Sequence, residues 1–175
     1  KGHDFKKILA VCSVLEPVLG RMQQVIGRES DPLVLVDYAH TPDALEQVLT
    51  SVKEHNAGKI ILVVGCGGDR DPGKRPLMGE ISMQNAEHVI FTSDNPRTES
   101  AAKICENMTQ GLTGSFMVEL DRQKAIEQAI SMASNQDLVV IAGKGHEDYQ
   151  EINGERHYFS DASVAKQAMQ VGALT

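Results

Sequence analysis

Asp94, Asn95, Pro96 and Arg97 stand together at the end of the apolar run His88 to Ser93, just before the helical pattern Thr98 to Leu112. An acid, an amide and a guanidinium within four residues can meet both charges of an amino-acid head group. Arg97 would fork onto a carboxylate while Asp94 and Asn95 accept from an ammonium. Pro96 fixes its own φ, lacks an N–H and biases Asn95 away from the helical region, so the loop is stiff. The alternative, from these four residues alone, is a turn whose Asp and Arg face water.

Three further loops hold residues of a similar kind. Gly65-Cys66-Gly67-Gly68-Asp69-Arg70 starts like a dinucleotide fingerprint, but its third glycine would fall at Arg70, so that reading fails. Gly68, four residues, then Gly73-Lys74-Arg75 misses a P-loop at its last position: Arg75 replaces the hydroxyl that would ligate Mg²⁺, and Pro72 removes an amide. What remains is either a glycine loop that lets a ligand approach while Arg70, Lys74 and Arg75 add positive charge, or a solvated basic loop. Asp37 and His40 end another apolar run. There Asp37 could accept from ribose hydroxyls, or could with Thr41 organise the turn. In Gly143-Lys144-Gly145-His146-Glu147 two glycines permit close approach and Glu147 could accept from an ammonium, while His146 reads as a structural hydrogen bonder. No loop supplies a nucleophile beside a base, which speaks for binding and against hydrolysis.

The elements that must position these loops alternate. Leu33 to Val36, Ile60 to Val64, His88 to Ser93, Phe116 to Glu119 and Leu138 to Ala142 are apolar runs of strand length. Between them lie helical stripes such as Leu45, Val48, Leu49 and Val52 after the cap Thr41-Pro42, and Ala125, Ile126, Ala129 and Ile130 after Asp121. Five strand–helix alternations predict an α/β fold, a Rossmann-like mostly parallel sheet of about five strands with helices on both faces. Right-handed crossovers then bring the post-strand loops to one edge. Tyr149 to Ile152 and Glu155 to Phe159 flank Asn153-Gly154 and predict an antiparallel edge hairpin, with a last helix starting at Ser160 or Asp161. Phe5, Ile8, Leu9, Cys12 and Leu15 predict a helix near the start, closed by Pro17 and Gly20. Because Lys1 reads as mid-helix, the chain is expected to be a piece of something longer.

At 175 residues, 41% hydrophobic and 23% charged, the chain fits one globular domain of ordinary size. A net charge of −7 argues against a non-specific nucleic-acid binder. No apolar run of transmembrane length and no signal peptide is visible, so no membrane association is expected. Cys12, Cys66 and Cys105 are odd in number and lack Cys-x-x-Cys spacing, which speaks against a disulfide framework or zinc site. Cys12 and Cys105 read as core. Cys66, beside the glycine loop, could be core or reactive. A cytoplasmic, reducing setting is the default.

Gly20-Arg21-Met22, Asp37-Tyr38-Ala39-His40-Thr41-Pro42, Gly65 to Asp71, Lys74-Arg75-Pro76, Asp94-Asn95-Pro96-Arg97 and Gly143 to Glu147 together resemble, in order, the carboxy-terminal part of the Mur ligases. Within that family they resemble the members that take meso-diaminopimelate. The resemblance implies that residues 1–19 are the terminal helix of a central ATPase domain with its linker, and that 20–175 form the amino-acid-binding domain. It also implies that Arg21, Asp37 and His40 help hold ATP. Arg70, Asp94, Asn95, Arg97, Gly143 and Glu147 would receive meso-diaminopimelate. The reaction implied is ATP-dependent amide-bond formation on UDP-N-acetylmuramoyl-L-alanyl-D-glutamate in peptidoglycan synthesis, with Mg²⁺ bound mainly outside this chain and the protein a monomer. Since the P-loop domain is not in this sequence, no catalytic residue is assigned and the fragment alone is expected to be inactive. Family relatives that add lysine carry a different sequence in place of Asp94 to Arg97, and sites built to pair a polar group can reject an analogue lacking it by about 10⁴-fold. The competing readings are a stand-alone binding module, folylpolyglutamate synthase and the lysine-adding Mur ligase.

Overall fold

The computed structural model describes residues 18–171, so the helix expected over Phe5 to Leu15 lies outside the described residues. Among the described residues there are eight strands: β1 (Gln23–Val25), β2 (Leu33–Asp37), β3 (Ile60–Val64), β4 (His88–Phe91), β5 (Met117–Val118), β6 (Leu138–Ala142), β7 (Tyr149–Ile152) and β8 (Glu155–Tyr158). The helices are α1 (Pro42–His55), α2 (Lys74–Asn85), α3 (Ala101–Thr109), α4 (Arg122–Met132) and α5 (Asp161–Val171). Six strands form one sheet in the order β1-β2-β6-β3-β4-β5. All its pairs are parallel except β1 with β2.

The apolar runs are continuous because both faces of the central strands are buried. Leu35, Leu62, Val64, Phe91 and Val140 enter one core with Leu45 and Leu49 of α1, Met78 of α2, and Ile104 and Met108 of α3. Their neighbours Val36, Ile61, Val63, Ile90, Val139 and Ile141 enter the other, against Ala125, Ile126 and Ala129 of α4 and Ala165 and Met169 of α5. Each fully buried Val, Leu or Ile contributes about 1.5–3 kcal/mol, so two such layers fix the sheet in place. Asp37 pairs in register with Ala142, and Ala142 with Val64. The strands that carry the chemistry-bearing loops therefore end level with one another.

Local chemistry sets the helix starts. Thr41 caps α1 with Pro42 at its first position, and the Asp121 side chain accepts from Gln123 and Lys124 at the head of α4. The structure shortens the helix expected over Thr98 to Leu112, because Ser100 caps it and Thr98 and Glu99 are bonded to the glycine loop instead. It starts α2 at Lys74, two residues before Pro76. The hairpin forms, but β7 and β8 make a separate two-stranded sheet that touches the DNPR segment through a parallel bridge between Arg97 and Ile152. The antiparallel strand of the main sheet is β1 instead, three residues with no periodic signal that pair with Val34 to Val36.

Candidate functional site

The loops after β2, β3, β4 and β6 meet at the carboxyl edge of the sheet around a cleft of about 380 Å³. His40, Arg70, Asp94, Asn95, Arg97, Gly143 and Glu147 all line it, joined by Tyr38, Lys74 and Tyr149. Arg21 and Asp37 lie beside it and not on its wall. A larger hollow of about 730 Å³ opens beside Pro32 and the carboxyl ends of α4 and α5. It holds none of the expected site residues, and the cleft at the strand ends is the one with the chemistry.

The DNPR segment is held from two sides. From the glycine loop, the Gly68 N–H donates to Asn95 O at 2.9 Å and Arg97 Nη1 donates to Gly68 O at 2.8 Å. A Cβ at Gly68 would lie 2.0 Å from Pro96 O, so only glycine permits this approach. From β7 and the turn after it, Arg97 N donates to Glu151 O at 2.9 Å, Asn153 N donates to Arg97 O at 2.8 Å, and Gln150 Nε2 donates to Asp94 O at 2.9 Å. These contacts keep Arg97 at φ +53°, a left-handed conformation that costs a non-glycine residue about 1–2 kcal/mol. Its Nε also sits 3.5 Å from the Glu151 carboxylate.

Behind the wall lies a buried polar layer. Lys144 is fully buried, and its ammonium donates to Asn95 Oδ1 at 3.0 Å and Glu147 Oε2 at 3.4 Å. Asn95 in turn donates from Nδ2 to Glu147 Oε2 at 2.8 Å, and its Oδ1 also accepts from Glu151 N. Asp94 is 6% exposed, with Oδ1 at 3.9 Å from Lys144 Nζ. Burial pushes the Asp94 carboxyl up against the opposing pull of Arg122 and Lys144. Burial likewise pushes the Lys144 ammonium down while Asp94 and Glu147 hold it up. Beneath them Arg122 forks onto Asp161, with two contacts of 2.8 Å, and donates to Ser93 O in the loop after β4 and to Ala142 O at the end of β6.

Asp37 turns out to organise its turn. Its two oxygens accept from Met22 N at 2.7 Å and Ala39 N at 2.8 Å. The turn carries Tyr38, whose ring has the Arg21 guanidinium 4.8 Å away and the His40 ring edge-on at 4.5 Å. Lys74 reaches across to donate to His40 O at 2.7 Å. Arg75 corrects the expectation of a basic trio. It is buried, because the helix starting at Lys74 turns it inward, where it pairs with Glu99 at 2.7 Å and Asn107 at 3.0 Å. Cys66 is core as well: burial pushes its thiol up to about 12.

All the expected residues except Arg21 and Asp37 thus line one cleft, yet three that shape the site had little signal. Lys144 reads in the sequence as a post-strand loop cation between two glycines, with no sign of its burial, Tyr149 as part of a strand pattern, and Arg122 as nothing beyond its place after a cap. Among the described residues no group of three or more His, Cys, Asp or Glu side chains is placed to hold a metal ion.

A mostly parallel sheet covered on both faces, with a mixed-charge cleft at its carboxyl edge, defines an α/β domain whose polar site lies at the strand ends. The family profile described as Mur ligase, glutamate ligase domain, matches residues 20–145, and the chain belongs to the Mur ligase family. Proteins of Haemophilus ducreyi and Pseudomonas putida, both named UDP-N-acetylmuramoyl-L-alanyl-D-glutamate–2,6-diaminopimelate ligase, are each 51% identical over 94% and 95% of this chain. The chain spans 34% of either relative. A solved structure of a ligase of the same name superposes with a TM-score of 0.84 at 45% identity, over 99% of this chain and 36% of that one. Escherichia coli FolC in complex with ADP shares the fold, with a TM-score of 0.56 at 20% identity over 90% of this chain and 32% of its own.

Proposed function

We propose that this chain is the carboxy-terminal domain of an ATP-dependent ligase that adds meso-diaminopimelate to UDP-N-acetylmuramoyl-L-alanyl-D-glutamate in peptidoglycan synthesis. In this reading residues 1–19 end the central ATPase domain and 20–175 receive the amino acid. The observation that carries it is the cleft in which Arg70 and Arg97 share one wall system with Asp94, Asn95 and Glu147. Diaminopimelate ends in an ammonium and a carboxylate, and the cleft offers acceptors for the first and guanidinium donors for the second. The names of the relatives agree with that substrate.

The parent reaction transfers the γ-phosphoryl group of ATP to the D-glutamyl side-chain carboxylate; the diaminopimelate amine then displaces phosphate and forms the amide. This chain's part is to hold the far end of the amino acid so that its reacting amine is presented to the acyl phosphate. Gly143, at φ +116°, lets the backbone approach Asp94, since a Cβ there would lie 2.6 Å from Asp94 Oδ2. Arg21 and His40, grouped on Tyr38, supply an exposed cation and ring for the nucleotide, and Asp37 contributes by fixing their turn. Mg²⁺, which would offset the charge on phosphate, belongs in this reading to the rest of the enzyme. The ligase acts as a cytoplasmic monomer without nucleic acid or membrane, and among the described residues no helix is long and apolar enough to cross a membrane.

The test is phosphate release by the full-length parent with ATP, Mg²⁺ and the uridine nucleotide, with meso-diaminopimelate against L-lysine. Release with diaminopimelate alone is expected. Release with lysine would keep the ligase and discard the role of Arg97, and release with neither would favour a binding module without catalysis.

A further inference from the structure

The cleft's inner wall contains a charge that no substrate can reach from solvent. Lys144 is fully buried, turned inward by Gly143 at φ +116° and Gly145 at φ +54°. Its ammonium lies 3.0 Å from Asn95 Oδ1, 3.4 Å from Glu147 Oε2 and 3.9 Å from Asp94 Oδ1. A buried lysine is costly to keep charged, and hydrophobic side chains of similar length fill such space at lower cost. The Arg122 charge just below is already cancelled by Asp161.

We propose that Lys144 is a specificity-determining residue of the amino-acid site: it sets the net charge that Asp94 and Glu147 present to the incoming head group. The inference rests on the diaminopimelate reading above and deepens it. Two carboxylates with one resident ammonium leave a single negative charge on the inner wall, which one incoming ammonium neutralises. The carboxylate beside that ammonium then meets Arg97 and Arg70 without facing surplus negative charge. If Lys144 were neutral, the wall would carry two negative charges. It would hold a lone terminal amine such as that of lysine more strongly, and would repel the distal carboxylate of diaminopimelate. One unit charge at this range, in a partly buried site, shifts relative binding by about tenfold or more.

The test compares the full-length ligase with Lys144→Met and Lys144→Gln, measuring kcat/KM for meso-diaminopimelate and for L-lysine. Glutamine can still donate to Asn95 Oδ1 but has no charge. A merely structural lysine would lower both constants together and leave their ratio unmoved. The expected result is a diaminopimelate-to-lysine ratio reduced about tenfold or more in both variants, with KM for ATP unchanged. A ratio unchanged in folded variants, or reduced in Lys144→Met alone, overturns the charge argument. Should neither variant fold, the wild type still decides it through competition by 2-aminopimelate, which keeps the distal carboxylate and lacks the distal ammonium. Competition at least tenfold weaker than by diaminopimelate is expected, and equal competition overturns the proposal. Failure of the wild type to turn over diaminopimelate would instead remove the functional reading itself.

Discussion

At Arg97 the backbone and the side chain are constrained by different neighbours. β7 fixes the left-handed φ, and the glycine loop orients the guanidinium through Gly68 O. Lysine at this position keeps the charge but cannot reproduce a planar fork with separate Nε and Nη contacts. Arg97→Lys in the full-length ligase is expected to lower kcat/KM for diaminopimelate about a hundredfold, with KM for ATP unchanged; a loss under threefold would show that the fork is not used. Cys66 gives the opposite kind of prediction. With its thiol pushed up to about 12, only about one molecule in ten thousand carries the thiolate at pH 8. Peptide mapping after treatment with a thiol reagent should find Cys66 unmodified in the native protein and modified after denaturation. The charge-bearing loop residues of the cleft were legible because loops after parallel strands gather at one edge. The burial of Arg75 was not, since it depends on which residue starts α2, and sequence patterns set such boundaries only to within a turn.

Among the elements, the strand cores were readable because Ile60–Val64 and Leu138–Ala142 are apolar on both faces and bounded by turn residues. β1 was not: three residues without periodicity become a strand only because the edge of β2 is there to pair with them. The loops after β3 and β4, two of the four that bound the cleft, behave as one element, since glycine at position 68 lets their backbones touch. Gly68→Ala should destabilise the chain by about 1–3 kcal/mol in denaturant unfolding and weaken diaminopimelate use, because the added Cβ pushes Pro96 and hence Arg97 aside. Ile130→Val, in the buried stripe of α4 two turns beyond Arg122, should cost a similar stability of about 1 kcal/mol yet leave KM for diaminopimelate unchanged. Equal KM effects in the two variants would mean that any loss of stability disturbs the site. At the opposite end of the sheet Asp137 ties the starts of β3 and β6, accepting from Lys59 N, Ser134 N and Ser134 Oγ. Backbone bonds from Ser134 and Lys59 hold its carboxyl below the ordinary 3.8. A depressed folded pKa means that its stabilisation is complete above the unfolded value and is lost as pH falls through the folded one. Asp137→Asn should therefore flatten the acid side of the stability profile below about pH 4. An unchanged profile would assign the acid limb to other carboxylates.

For the molecule as a whole, helices on both faces of the sheet close two cores, and the loops after β2, β3, β4 and β6 bound the cleft. On the reading proposed above, recognition of the amino acid belongs to this domain and phosphoryl transfer to the rest of the enzyme. The isolated chain should unfold in one cooperative transition. It should bind meso-diaminopimelate weakly, because a half-site offers a small ligand only modest interaction per atom; a dissociation constant on the order of 1 mM is expected by titration calorimetry. It should release no phosphate from ATP with all substrates present. Binding without ligation would place recognition of the amino acid in this domain and catalysis in its closure on the rest of the enzyme. Detectable ligation by the isolated chain would contradict that division, and absence of binding at 10 mM, well above the expected constant, would show that the cleft becomes an amino-acid site only when the other domains complete it.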